Sequence, residues 1–298
     1  MKKYILCLSF LATAGLMLSS CSDDDLSDKS VIVTSETEQT QFDKWLEANF
    51  VNPYNIQFKY RYEHNESDMN YYNVPADYKQ AVELAHIVKY TCVEAYDEVA
   101  GVNFTRNYFP KEFFCTGTWE FRNNGTFILG TAEGGKKIFL AGVNYLDQYK
   151  DNINTLNHFY LKTIHHEFTH ILNQTKDFPR SYQQVTGSGY VADSWSESPY
   201  NENYLERGFI SSYSQHSATE DFAEMLSMYI TNTPAQWNKW MEEAGTDGAR
   251  LLQQKLDIVR TYMKDSWNID IDQLRNSVLD RETKVASGQI DLTDLTVK

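Results

Sequence analysis

Basic residues are scarce in this chain: 27 Lys and Arg stand against 41 Asp and Glu among 298 residues, a formal net charge of −14. A surface so acidic repels phosphate backbones and anionic headgroups, which argues against nucleic acid and anionic lipid as partners. Cysteine is scarce too, with four in all, and Cys92 and Cys115 are too far apart in sequence to make a C-x-x-C metal pair. No internal repeat or glycine-rich linker divides the chain after residue 41, so the remainder forms one large domain or two small ones. Beyond the first 20 residues no apolar run approaches the roughly 20 residues that a membrane-spanning helix needs.

What is present at the start is a targeting segment. Lys2 and Lys3 precede an apolar stretch, Ile5 to Leu18, that is too short to span a bilayer and reads as a secretory signal over residues 1–20. Leu18-Ser19-Ser20-Cys21 resembles the lipobox of bacterial lipoproteins, which implies that Cys21 carries lipid and becomes the mature N-terminus. Loss of the leader removes two lysines and leaves 25 basic against 41 acidic residues, a net charge of −16. Ser22-Asp23-Asp24-Asp25 and the polar run that follows lack the apolar content to order themselves, so residues 21–41 are expected to act as a flexible acidic tether. The acidic triplet looks like a signal that sends lipoproteins to the outer face of the outer membrane. In such an oxidising compartment Cys92 and Cys115 can pair, or remain as two buried thiols; the sequence leaves both open.

Hydrophobic periodicity organises residues 42–298. Helical spacing covers Phe42–Phe50 and Ala76–Val99, and Ile56–Tyr62 alternates like a strand. Glu112–Phe121, Thr126–Thr131 and Lys137–Val143 read as three strands, with Asn124-Gly125 and Gly134-Gly135 at hairpin positions, predicting an antiparallel meander. Helices follow at Asn154–Gln174, Ala218–Thr231, Pro234–Ala244, Ala249–Trp267 and Ile271–Ala286. Strands before helices indicate α+β, with a helix-and-sheet part over 42–150 and a helical part over 151–298.

The chemistry concentrates in His166-Glu167-Phe168-Thr169-His170. On a helix, residues four apart share a face, so both imidazoles can bind one Zn²⁺ at about 2.0–2.1 Å while Glu167 reaches a water beside it. Ile164, Phe168, Ile171 and Leu172 supply the buried side of the same helix. A third protein ligand is needed. Asn173 and Lys176 occupy the positions where the metzincin extension requires Gly and His, so that subclass is excluded. The downstream carboxylates are Asp193, Glu197, Glu202, Glu206, Glu220 and Glu224, of which Glu220 suits best because it opens a predicted helix. Glu224, one turn on, can accept the far N–H of a ligating histidine. Asp221 faces elsewhere and suits a helix N-terminal charge.

These residues resemble two families. His166 and His170, then Tyr213, then Glu220-x-x-Ala223-Glu224 is similar to the gluzincin arrangement, which implies that Tyr213 faces the substrate. Gly130-Thr131-Ala132-Glu133-Gly134-Gly135, His166 to Leu172 and Glu220 to Met225 look like the HExxH lipoproteins associated with TonB-dependent nutrient import, although Asn173 stands where a histidine is common there. The resemblance implies a zincin-like metallopeptidase fold and Zn²⁺ held by His166, His170 and Glu220. It implies catalysis by Glu167 as general base with Tyr213, and a peptide or glycoprotein substrate. Its implied partners are a TonB-dependent transporter and surface binding lipoproteins, with the chain anchored by lipid at the outer membrane and facing the exterior. The competing reading is a non-catalytic binding lipoprotein of an uptake complex, with a structural zinc site. An edge strand of the meander, Thr126–Thr131 or Lys137–Val143, is expected to pair with an extended substrate.

Overall fold

A computed structural model describes residues 38–122, 127–133 and 136–297. The expected leader, Cys21, most of the tether and the turns at Asn124-Gly125 and Gly134-Gly135 lie outside the described residues. From Thr40 onward the chain forms one compact unit. Its first helix, α1 (Gln41–Leu46), is capped reciprocally by Thr40 and Asp43, as expected of a Thr-x-x-acid start. The strand β1 (Gln57–Lys59) follows, then α2 (Tyr78–Val88), which passes through a wide turn at Lys89–Val93 into α3 (Glu94–Ala100). The expected long helix is therefore continuous but widened midway. Gly101 ends it, and a further helix, α4 (Val102–Tyr108), follows that was not among the expected elements.

The strands are β2 (Glu112–Cys115), β3 (Glu120–Phe121), β4 (Phe127–Ile128), β5 (Gly130–Glu133) and β6 (Lys137–Leu140). They do not form the expected meander. One sheet has the order β1-β2-β6-β5, with β1, β2 and β6 mutually parallel and only β5 antiparallel to its neighbour; β3 and β4 form a separate ribbon. The reason is visible in the side chains. Phe113, Phe114 and Cys115, like Ile138, Phe139 and Leu140, are all buried, a continuous apolar run rather than an alternating one. Strands covered on both faces take that pattern, and interior parallel strands are the usual result. β6 is consequently an interior strand, which removes Lys137–Val143 as an edge for substrate, whereas β5 lies at the sheet's border.

The helical part begins with α5 (Ile153–Leu156), which runs through a second wide turn at Asn157–Leu161 into α6 (Lys162–Thr175). α7 (Arg180–Thr186), unforeseen in the sequence, precedes a long irregular stretch. α8 (Ala218–Ile230), α9 (Pro234–Glu243), α10 (Gly245–Trp267) and α11 (Ile271–Ala286) match the expected helices closely. α6 sits between β5 and α8. Its Phe168 meets Tyr96 and Phe109 edge-on at 4.9 and 4.8 Å, which anchors the helix in the aromatic core. On the sheet side a Cβ at Gly130 would stand 2.5 Å from the Phe139 carbonyl oxygen and 2.8 Å from Thr163 Cγ2, so only glycine lets β5 lie this close to α6. Cys92 and Cys115 are free and fully buried, which decides between the two alternatives for them.

Candidate metal centre

α6 turns Ile164, Phe168 and Leu172 into the core, which leaves His166 and His170 on the opposite face, toward a cleft of about 960 Å³. α8 packs along α6. Its first turn is fixed by Ser217, whose side chain accepts from the Glu220 N–H, so Glu220 projects at the helix start toward the two histidines. The three donor atoms come together: His166 Nε2 lies 3.0 Å from His170 Nε2 and 3.0 Å from Glu220 Oε2, and His170 Nε2 lies 3.2 Å from the same oxygen. Zinc ligands bound tetrahedrally at about 2.0–2.1 Å stand roughly 3.3 Å from one another, so this triangle has the size and the donor chemistry for that ion. Among the described residues it is the one cluster of three His, Cys, Asp or Glu side chains close enough to share a metal.

Behind the triangle, His166 Nδ1 is 2.9 Å from Glu224 Oε1. Glu224 is itself fixed on both oxygens: Lys162 Nζ donates to Oε1 at 2.6 Å and Ser211 Oγ to Oε2 at 2.7 Å. Burial disfavours charge on His166, but the Glu220 and Glu224 carboxylates outweigh it and raise its pKa to about 9. Burial likewise opposes charge on Glu220 and Glu224. His166 and His170 nevertheless hold Glu220 well below the usual carboxylate range, and Lys162 with His166 does the same for Glu224. Both acids are therefore ionised, which places the negative charge that a divalent cation requires.

Glu167 follows His166 and lines the cleft beside the triangle. Tyr213 lies in a short turn, Tyr213–Gln215, with its ring 6.1 Å from that of His166 and edge-on to Trp195 at 5.1 Å. Burial, and then the charge of Glu220, raise the Tyr213 pKa, so the phenol keeps its proton. His216 stacks on Tyr213 at 5.8 Å and turns its Nε2 to Asp193 Oδ1 at 3.3 Å, away from the triangle. The remaining downstream acids, Glu197, Glu202 and Glu206, are exposed. His165 is enclosed next to Tyr96 and Cys92, and burial lowers its pKa to about 3, so it is a neutral core group. Asn173 is buried in the cleft wall, outside the triangle.

Two residues that hold Glu224, Lys162 and Ser211, were not among the expected site residues. Lys162 was accessible in principle, since it lies four residues before His166 on the same helical face. Ser211 carries no such local signal. Asp221 lies in the first turn of α8, as expected of a helix N-terminal charge, but it is also fully buried and paired with Lys255 at 2.5 Å, a pairing unforeseen in the sequence.

The chain matches the family described as "Putative zinc-binding metallo-peptidase" over residues 35–272. No curated protein matches it. Among solved structures it is similar to one titled a putative zinc-binding metallo-peptidase from Bacteroides caccae. That match has 39% identity and a TM-score of 0.75, and covers 90% of this chain and 100% of that one. The mixed sheet followed by a largely helical part is accordingly a zincin-like metallopeptidase fold. With a profile spanning most of its length and a related structure of the same fold, this chain belongs to the zinc-binding metallopeptidase family.

Proposed function

We propose that the chain is an active zinc-dependent peptidase, with His166, His170 and Glu220 as metal ligands and Glu167 as general base. The observation that carries this reading is the triangle of donors, 3.0–3.2 Å on each side, with Glu167 and Tyr213 opening into the same cleft. Zinc held there would supply Lewis acidity and bring the pKa of a water toward about 7. Glu167 takes the proton from the attacking water and returns it to the departing amine. Tyr213, protonated, donates a hydrogen bond to the carbonyl oxygen as negative charge builds on it. Glu224 keeps His166 oriented. β5, at the sheet border beside α6, offers backbone groups to an extended peptide.

The substrate class in this proposal is a peptide or glycoprotein at the cell surface. The lipobox-like Leu18-Ser19-Ser20-Cys21 and the acidic residues after it support lipid anchorage at the outer membrane, facing outward, where a TonB-dependent transporter and its binding lipoproteins are the proposed partners. The test is Glu167→Gln: zinc content and thermal stability should stay at wild-type values while peptide hydrolysis falls by about 10²- to 10⁴-fold. Turnover equal to wild type would remove Glu167 as the base. A zinc-loaded wild type that cleaves nothing in a broad peptide library, yet binds a glycan, would favour the non-catalytic reading.

A further inference from the structure

Lys255, on α10, is completely enclosed, and its ammonium is shared among separate parts of the chain. Nζ lies 2.5 Å from Asp221 Oδ2 and donates to the Gly208 carbonyl at 2.8 Å, with the Phe209 ring 4.0 Å below it. Asp221, also fully buried, accepts from the Tyr190 hydroxyl at 2.9 Å, and its own carbonyl accepts from Tyr182 at 2.9 Å. A pair at this depth loses its hydration, and uncharged replacements of both partners are often at least as stable. Stability alone is therefore a weak reason for it.

Its place in the chain gives a stronger one. Asp221 follows the candidate ligand Glu220, and Gly208 opens the segment that ends in Tyr213. Gly208 adopts φ +80°, and a Cβ there would lie 2.5 Å from Leu251 Cβ, so the segment is pressed against α10 at this point. Its other end is tied to α8 again, through Ser211 Oγ to Glu224 Oε2 at 2.7 Å, and Ser211 Oγ also accepts the Ser214 N–H at 3.1 Å. The Tyr213 turn is thus strung between two anchors on the helix that carries Glu220.

We propose that the buried Lys255–Asp221 pair is a positioning device that registers the Tyr213 turn against the start of α8, keeping the tyrosine and the Glu220 carboxylate in one relative placement. The proposal rests on the role assigned to the site above. The test uses the double variant Asp221→Asn/Lys255→Met, which removes both charges together and so avoids an unpaired buried ion. Lys255→Arg, which keeps the charge, serves as the conservative control. Three measurements are made on the zinc-loaded chain: amide exchange over residues 208–216, the visible spectrum of the cobalt-substituted protein, and kcat with and without Tyr213→Phe.

The double variant should stay folded, exchange about tenfold faster over 208–216 and show an altered cobalt spectrum. Its kcat should fall about tenfold, with KM nearly unchanged and with no further loss when Tyr213→Phe is added. Lys255→Arg should recover part of each effect. Unchanged exchange over 208–216, or losses that simply multiply with Tyr213→Phe, would overturn the proposal. Should the wild type lack hydrolase activity, the peptidase reading fails, while exchange and the cobalt spectrum still decide the role of the pair.

Discussion

Glu224 is 1% exposed, yet it faces three polar partners: the far nitrogen of His166, the Lys162 ammonium and the Ser211 hydroxyl. Removing it frees the His166 ring and leaves the Lys162 ammonium without its anion. Glu224→Ala should therefore weaken zinc binding by about 10- to 100-fold, as loss of an outer partner of a ligating histidine typically does. Competition against a chromogenic chelator reads this directly, and an unaltered affinity would show that His166 needs no support. At this scale the site was largely legible. His166, Glu167 and His170 are brought together by helix geometry alone, and Glu220 and Glu224 share a face for the same reason. Lys255 and Ser211 were not legible, because the partners they hold lie on other elements and no local pattern joins them.

Between elements, helices were predicted better than strands. α8 and α11 keep almost the boundaries their periodicity suggested, since a helix closes its hydrogen bonds within itself. A strand's neighbours are chosen by the rest of the chain, so β2 and β6 pair in parallel although several residues suited to hairpins lie between them. The junction of α11 with the wide turn before α6 makes a testable case. Glu282 on α11 is fully buried, where Asn157 Nδ2 donates to it at 2.9 Å and to the Thr231 carbonyl at 3.0 Å. Burial raises its pKa from 4.5 to about 8, although the Asn157 hydrogen bond works the other way. The folded chain thus holds this proton more tightly than the unfolded one. The resulting stability is complete below pH 4.5 and lost as pH rises to about 8. Glu282→Gln removes that dependence, so the variant should gain on wild type across this window, by on the order of a few kcal/mol. Urea denaturation at pH 5 and pH 8 measures the difference; a gap that is the same at both would contradict the assignment.

For the whole molecule, a net charge of −14 disfavours anionic surfaces, and among the described residues no helix is long and apolar enough to cross a membrane. The proposed attachment is through Cys21. Cys21→Ala should shift the protein from the membrane fraction to the soluble one and abolish palmitate labelling, and a variant that still sediments with membranes would argue against a lipid anchor. The amino-acid order by itself determined the helix that carries His166, Glu167 and His170 on one face, and most later helices, because each depends on spacings within a single turn or a single element. Only the tertiary structure decided that β5 is the sheet's border and β6 its interior. It also decided that the cysteines stay apart, and that Asp221 turns inward to an ammonium on α10. These outcomes depend on which distant surfaces bury one another; the unbroken apolar runs of β2 and β6 mark strands covered on both faces but do not name their neighbours.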